Sequence, residues 1–408
     1  MKKIFVHYCG WGEDWLLGEL LDDGHDILFS WSAQALARGM MLSPLRLKLG
    51  AGVMGGFPAH QHHLPGLVAD SLPDGWGLLL MDRLFRQQGV RHPGPLDRLA
   101  FIGDRGMGAL RFVPDTAADT PIPDWSLLAL AEESARTLRG EADAALRELG
   151  TLGGSPQGAR PKALVWYNPD SRRISTVPEA SAQPWLVKFP AQGEHKEVCA
   201  LEQLYMLLAR RCGLEVPDSQ VFDLSPRLSA FGTARFDRED GLRVPIHSLA
   251  GLLHIDFRLP GSADYTSFLR ATRALCRSEH EVERAYERTV FNVLFHNRDD
   301  HPKNVAWRLS SDGHWHLAPA FDLTFSEGPR GQHHMDVCGE ASQVTRDHLL
   351  QLAAESSIPR QRAEAIIDRM LTQADSLMAL AQDLPIRKAT IRRLMKTVQH
   401  CCQLAAGA

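Results

Sequence analysis

The amino-acid sequence predicts an α+β protein, β-rich on its N-terminal side and α-helical towards its C-terminus. Three observations carry that expectation. Residues 3–30 break into short runs with strand character, KIFVHY, WLLGELL and DILFSW, separated by Gly/Asp turns. A second set of strand-like runs, ALVWY, PWLVKFP, VPDSQVFDL and LSAFGTARFDRE, lies between residues 163 and 239. From about Ser267 onward apolar residues recur at helical spacing almost to the end.

The 408 residues allow two or three domains. We expect three segments: a β-rich 1–116, a mixed 117–255 and a helical 256–408. Lys plus Arg (45) nearly balances Asp plus Glu (49), so no global basic field argues for autonomous nucleic-acid binding. No stretch approaches about eighteen uncharged apolar residues, and charge interrupts the start, MKKIFVHYCGWGEDW, before a signal-like apolar core forms. The seven cysteines (9, 199, 212, 276, 338, 401, 402) lack metal-site spacing. An odd, dispersed set fits reduced thiols, and the expected location is cytoplasmic.

In order, LPDGWGLLLMDRLFRQQG (72–89) opens with a turn and continues as an amphipathic helix, and GALRFVP (108–114) closes the first β-rich segment as a strand. PDTAADTPIPDW (114–125) has the composition of a linker. SLLALAEESARTLRGEADAALRELG then predicts one long helix ended by Gly150. TLGGSPQGARPK follows. Its glycines would let backbone N–H groups approach phosphate oxygens, with Arg160 or Lys162 adding charge. It matches neither G-x-G-x-x-G nor the Walker A pattern, so by itself it reads as a plain loop. Lys188 sits between Val187 and Phe189 on a Pro-bounded strand. Strand lysines usually face solvent, but this is also the form a phosphate-pairing lysine takes. Glu197 and Glu202, in the helix that follows (197–213), could each pair with it; a solvated acidic first turn is the plainer reading.

The most informative stretch is Phe291–Asn304, FNVLFHNRDDHPKN. An apolar run leads into a polar cluster, and LAPAFDLTFS then delivers Asp322. Asp-x4-Asn with a downstream Asp suits phosphoryl transfer: one carboxylate orients the acceptor hydroxyl, while an amide oxygen and a second carboxylate hold Mg²⁺. Between them NVAWRL and HWHLAP form a predicted hairpin, which puts Asn304 and Asp322 at its two bases. Asp300 competes with Asp299 for the role of base. Only Asp299 keeps the five-residue step to Asn304, so Asp300 is expected to brace the loop. His60, His62, His63, His333 and His334 have no Cys or carboxylate at ligand spacing and are expected to be surface histidines. The tail (345–405) predicts amphipathic helices.

Taken together, the order is Gly-rich loop, strand lysine, helix glutamate, possible hinge, Asp-x4-Asn, hairpin, Asp. That is the order of parts in a protein-kinase-like, two-lobed phosphotransferase. The chain resembles the HipA-type serine/threonine kinase toxins of bacterial toxin–antitoxin systems over nearly its whole length. The motifs that carry this are DSLPDGWG (70–77), FIGDRGMGALRF (101–112), GARPKALV (158–165), GLEVPDSQV (213–221), RFDR (235–238), FNVLFHNRDDHPKN and LAPAFDL (317–323). The resemblance implies Asp299 as catalytic base, His301 and Asn304 as nucleotide- and metal-contacting residues, and Asp322 as a metal-binding residue. It implies Lys188 as an ATP-contacting lysine, and Pro156, Gln157, Gly158, Ala159, Arg160, Pro161 and Lys162 as the phosphate loop. Ala234, Arg235 and Phe236 would hold adenine, and Ser155 would be autophosphorylated. The implied cofactors are ATP and Mg²⁺. The implied partners are a protein substrate of the aminoacyl-tRNA synthetase kind and a small helix-turn-helix antitoxin, with DNA reached only through that antitoxin and no membrane involved. Two other readings stay open. One is a small-molecule phosphotransferase of the antibiotic-modifying kind, although such enzymes carry His two residues before the base, where this chain has Asn297. The other is a weakly active nucleotide-binding partner of an antitoxin.

Overall fold

The alternating runs near the N-terminus form strands β1 (Lys2–Tyr8), β2 (Trp15–Asp22) and β3 (Ile27–Trp31), whose side chains alternate between core and surface as period-2 patterning requires. With β4 (Val53–Met54) and β5 (Leu110–Val113) they make an antiparallel sheet in the order β4-β3-β2-β1-β5. A second antiparallel sheet, in the order β7-β6-β8-β10-β9, is built from β6 (Lys162–Asn168), β7 (Arg173–Ser175), β8 (Gln183–Lys188), β9 (Ser219–Asp223) and β10 (Ser229–Ala234). The computed structural model describes residues 2–117, 122–141, 145–154 and 156–407. The chain divides into two units. The first comprises Met1–Cys199, Ser219–His247 and Gly251–His254; the second comprises Ala200–Asp218, Ser248–Ala250 and Ile255–Ala408.

Both sheets belong to the first unit, together with helices α1 (Ala33–Arg38), α2 (Gly66–Ala69), α3 (Gly75–Gln87), α4 (Pro95–Ile102), α5 (Leu127–Leu138) and α6 (Leu146–Gly153). Ser32 and Ser126 cap α1 and α5 by accepting backbone N–H bonds, and Pro95 opens α4 where its missing N–H costs nothing. Trp76 and Leu80 of α3 pack with Leu149 and Leu152 of α6 and with Val165, Trp185 and Val187 of the second sheet, forming one apolar core. The single helix expected over 126–150 is instead two. Gly140, at φ 75°, ends the first in a left-handed turn, while Gly150 lies inside the second, with Phe101 Cζ 3.4 Å from where a Cβ would stand. The described part of the expected linker, 114–117 and 122–125, contains neither helix nor strand.

The RFDR turn is a buried ionic knot of this unit. Asp237 accepts from Arg235 Nε at 2.9 Å, from Arg238 Nη1 at 2.6 Å and from the Gly108 backbone N–H at 2.7 Å. Burial alone would raise the Asp237 pKa, but the two guanidiniums hold it well below the usual carboxylate range. The short strands β11 (Arg238–Glu239), β12 (Leu242–Arg243) and β13 (Ile246–Ser248) follow, then α8 (Leu249–Leu253).

Helix α7 (Glu197–Arg211) carries Glu197 and Glu202 buried, not solvated as an acidic first turn would be. In the second unit, α9 (Tyr265–Cys276) packs on α10 (Glu279–Leu294), which also meets α12 (Arg360–Gln373) and α14 (Lys388–Ala406). α11 (Arg346–Glu355) and α13 (Ser376–Gln382) complete the predicted helical tail. The expected hairpin is present as antiparallel β14 (Ala306–Leu309) and β15 (Trp315–Leu317). Phe268, Tyr286, Phe291, Phe295 and Trp307 are fully buried. All seven cysteines are free thiols. Among the described residues no helix is long and apolar enough to cross a membrane.

Candidate functional site

The loop at 295–304 is aimed by the helix before it. Phe291, Val293, Leu294 and Phe295 anchor the end of α10 in the core, and the Tyr205 hydroxyl donates to the Phe295 carbonyl. His296 then turns the chain through a left-handed conformation, φ 55°. Beyond it lies a buried polar chain. Asn297 Nδ2 donates to Asn292 Oδ1 at 2.9 Å, Asn292 Nδ2 to the Tyr265 hydroxyl at 3.0 Å, and that hydroxyl to Asp300 Oδ2 at 2.6 Å. His333 Nδ1 meets the same Asp300 oxygen at 2.7 Å, and the His334 backbone N–H donates to the other at 2.8 Å.

Burial by itself would raise the Asp300 pKa, but His333, Tyr265 and the His334 N–H bring it below its ordinary value. Asp300 is therefore an ionised brace, as the five-residue spacing implied. Tyr265, pushed well above 10 by burial and by the Asp300 charge, stays a donor. His333 is buried on Asp300, which corrects the expectation of a surface histidine. His62 and His63 are exposed as expected, and His60 Nε2 contacts the His254 carbonyl at 3.1 Å.

Asp299 points the other way, with 45% of its side chain exposed. Its pKa is nevertheless raised: the surrounding protein displaces water, Asp322 and Asp300 add negative charge, and His301 opposes them. His301 Nε2 lies 3.9 Å from Asp299 Oδ1, and its ring meets Phe257 at 5.5 Å and His334 edge-on at 5.6 Å between centroids. The Nδ1 atoms of His301 and His334 are buried with no hydrogen-bond partner among the described residues. Asn304 Nδ2 donates to the Asp299 carbonyl at 2.8 Å, tying the two ends of the Asp-x4-Asn motif together. Asp322 sits at φ 55°, a left-handed position that Asp tolerates better than branched residues. Asp299, His301, Asn304 and Asp322 thus share one neighbourhood of the second unit. Among the described residues no three His, Cys, Asp or Glu side chains are grouped to hold a metal. An Asn amide and one Asp carboxylate nevertheless suit Mg²⁺, which keeps several waters or phosphate oxygens as ligands.

The remaining expected site residues lie in the first unit. Lys162 and Lys188 occupy opposite positions on β6 and β8, so their side chains leave the same face of the sheet, and they are only 3% and 7% exposed. In the loop, Gly158 takes φ 107°, its N–H donates to Asp74 Oδ1, and Lys162 Nζ donates to the Gln157 carbonyl. Gln157 Nε2 donates to the Asp70 carbonyl at 2.9 Å, and Arg160 pairs with Glu194 at 3.0 Å. Pro156, Ala159 and Pro161 belong to the same irregular segment. Ala234 ends β10, Arg235 is committed to Asp237, and Phe236 lies in the turn after the strand. Ser155 lies outside the described residues.

Sequence spacing missed Tyr265, Asn292, His333 and His334. Tyr265, His333 and His334 act through contacts with residues far along the chain, while Asn292 lies inside the 291–304 stretch but acts by bonding Tyr265, which spacing does not reveal.

Solved structures share this fold. The chain is similar to a structure titled as the Shewanella oneidensis MR-1 toxin–antitoxin system HipA, HipB and operator DNA complex. That match has a TM-score of 0.75 and 19% identity, and covers 99% of this chain and 97% of that one. A weaker likeness is to the Helicobacter pylori proinflammatory kinase CtkA, with a TM-score of 0.43 and 14% identity, covering 60% of this chain and 88% of that one. The HipA-like C-terminal domain matches residues 154–378 and the HipA N-terminal domain matches residues 11–113. The chain belongs to the HipA family. A comparison with curated proteins found no match.

Proposed function

We propose that this chain is an ATP- and Mg²⁺-dependent protein serine/threonine kinase and the toxin of a toxin–antitoxin pair. The observation that supports this best is the contrast between two adjacent carboxylates. Asp300 is buried, fully hydrogen-bonded and held ionised, while Asp299 is half exposed with a raised pKa beside the charge of Asp322. In this reading Asp299 accepts the proton of the acceptor hydroxyl as general base, and its raised pKa makes it a stronger base. Asn304, fixed through its amide nitrogen to the Asp299 carbonyl, and Asp322 would hold Mg²⁺. When bound, Mg–ATP supplies the transferable phosphoryl group and neutralises its charge.

Lys162 and Lys188 bind the nucleotide's phosphates. The segment Pro156–Pro161 closes over them once the Gly158 N–H exchanges Asp74 for a phosphate oxygen. Ala234, Arg235 and Phe236 offer backbone groups to adenine, since the Arg235 side chain is already engaged, and His301 faces the nucleotide. Ser155 is the proposed self-modification site. A phosphate there would add about −1.5 to −2 charges next to the phosphate loop and oppose ATP binding. The protein substrate is a hydroxyl-bearing protein of the aminoacyl-tRNA synthetase kind. The regulatory partner is a small helix-turn-helix antitoxin that brings DNA binding with it, by analogy with the structure of HipA with HipB and operator DNA. The working compartment is the cytoplasm.

The test is phosphate transfer from γ-labelled ATP by the purified chain into a cell lysate, with phosphosites mapped in parallel for the wild type and for Asp299→Asn. Labelled protein with the wild type and none with the variant supports the reading. Transfer only to a small molecule would reassign the acceptor class.

A further inference from the structure

The loop of residues 156–161 is seated on the segment that opens α3, both within the first unit. Gln157 Nε2 donates to the Asp70 carbonyl at 2.9 Å, and the Trp76 N–H donates to the Gly158 carbonyl at 3.2 Å. The approach is close: a Cβ at Gly75, whose φ is 39°, would stand 2.6 Å from Ala159 Cα. The seat itself is anchored in the interior. His247 Nδ1 meets Asp70 Oδ2 at 2.6 Å, and His247 Nε2 meets Ser43 Oγ at 2.9 Å. Ser43 and His247 are 0% exposed, so this Ser–His–Asp chain has no access to a substrate and serves to fix residue 70.

Asp74 is placed unusually. It occupies the N-cap of α3, where an Asp side chain ordinarily accepts an N–H of its own helix, yet it makes no such bond. Its Oδ1 accepts the Gly158 N–H instead. Lys162 Nζ in turn donates to the Gln157 carbonyl. The backbone N–H and the ammonium group that would meet a nucleotide's phosphates are thus both answered by acceptors of the chain itself. Of those two acceptors only Asp74 lies outside the loop, and only Asp74 is a carboxylate. A hydrogen bond to a carboxylate is roughly twice as strong as one between neutral groups, and the same carboxylate would repel an approaching phosphate.

Resting on the reading of Pro156–Lys162 as a phosphate loop, we propose that Asp74 sets nucleotide affinity by competing with the phosphates for the Gly158 N–H. Binding exchanges one acceptor for another at that N–H and lets Asp74 turn back to cap α3. The anchor through Asp70 and His247 holds the 70–76 segment in place, so the loop moves and its seat does not. The cost of release is subtracted from the affinity of every ligand that carries phosphates, and from none that lacks them.

The experiment measures binding of a non-hydrolysable ATP analogue with Mg²⁺, and of adenosine, to the full chain by calorimetry. Asp74→Asn removes the charge and keeps a good N-cap, and Asp74→Ser keeps the N-cap on a shorter side chain. Both variants should bind the analogue about fivefold tighter or more, with adenosine affinity unchanged. Amide exchange at Gly158, followed without nucleotide, should be faster in both. A merely structural role for Asp74 would loosen the loop and lower affinity, so the gain is the telling sign. Unchanged or weaker analogue binding, or an equal gain for adenosine, overturns the proposal. If neither the wild type nor the variants bind the analogue, the phosphate-loop reading fails first and the competition falls with it.

Discussion

Replacing Asp300 by Ala should destabilise the protein by about 3–5 kcal/mol at neutral pH, the usual cost of removing one partner from a buried, hydrogen-bonded charge pair. The structure supplies the reason. Asp300 accepts from the Tyr265 hydroxyl at 2.6 Å, His333 Nδ1 at 2.7 Å and the His334 N–H at 2.8 Å, all of which Ala leaves unanswered. Hydrogen bonds to a charged acceptor contribute about 1.5–3 kcal/mol each, but the full sum is not expected because water can enter the space the carboxylate leaves. The pH dependence has a definite sign. The folded-state pKa of Asp300 is lowered, so its contribution is fully present above the unfolded value of about 4 and is lost as pH falls through the folded value. Urea denaturation followed by tryptophan fluorescence measures the gap between wild type and variant. It should be constant from about pH 5 to 8 and should narrow below about pH 4. A gap under about 1 kcal/mol at pH 7, or one that widens in acid, would refute the reasoning.

Three further outcomes are expected. Asp299→Asn should lower phosphate transfer by roughly 10²–10⁴ while leaving the denaturation midpoint unchanged or higher, because the fold disfavours the ionised form of Asp299 and this penalty grows as pH rises through the window between its unfolded and folded pKa. In the wild type, the acid limb of the kcat/KM profile should accordingly lie above the ordinary carboxylate range. Undiminished transfer by the variant would place the base elsewhere. Lys188→Met should reduce nucleotide affinity at least tenfold, about 1.4 kcal/mol, as measured by calorimetry. Unchanged affinity would remove Lys188 from the phosphate site. Asp322→Asn should weaken nucleotide binding only when Mg²⁺ is present, so equal loss in EDTA would argue against a metal role.

The sequence made the local structure readable and left the long-range contacts hidden. Period-2 runs placed β1, β2 and β3 to within about a residue, because one face of an antiparallel sheet must be apolar. The hairpin 306–317 followed from its Ser-Ser-Asp-Gly turn in the same way. The single helix over 126–150 does not form because Gly140, at φ 75°, ends the first half in a left-handed turn, while Gly150 lies inside the second helix against Phe101. Burial was the larger blind spot. Lys162, Glu197, Glu202, Arg288 and His333 are residue types that composition assigns to the surface, and each is buried. Only three-dimensional neighbours such as Asp300 for His333 or Ala318 for Arg288 make that tolerable.

The two adjacent aspartates show how the loop turns burial into chemistry. Identical side chains one residue apart must leave the backbone in different directions, so the same loop can bury one and expose the other. Tyr265 of α9 and the 333–334 segment converge on Asp300, with Asn292 of α10 donating to Tyr265 behind them, so Asp300 stays ionised and fixes the loop. Among the described residues no comparable set of donors is drawn to Asp299, whose surroundings offer partial desolvation and the like charge of Asp322. The two pKa values are thereby pushed apart in opposite directions, the arrangement by which neighbouring acids take separate roles at one pH. Moving the donors would exchange those roles. A His333→Phe variant should therefore raise the Asp300 pKa towards that of Asp299. NMR titration of the two carboxyl carbons should show the values drawing together, and a gap that stays the same would mean that His333 does not set the division.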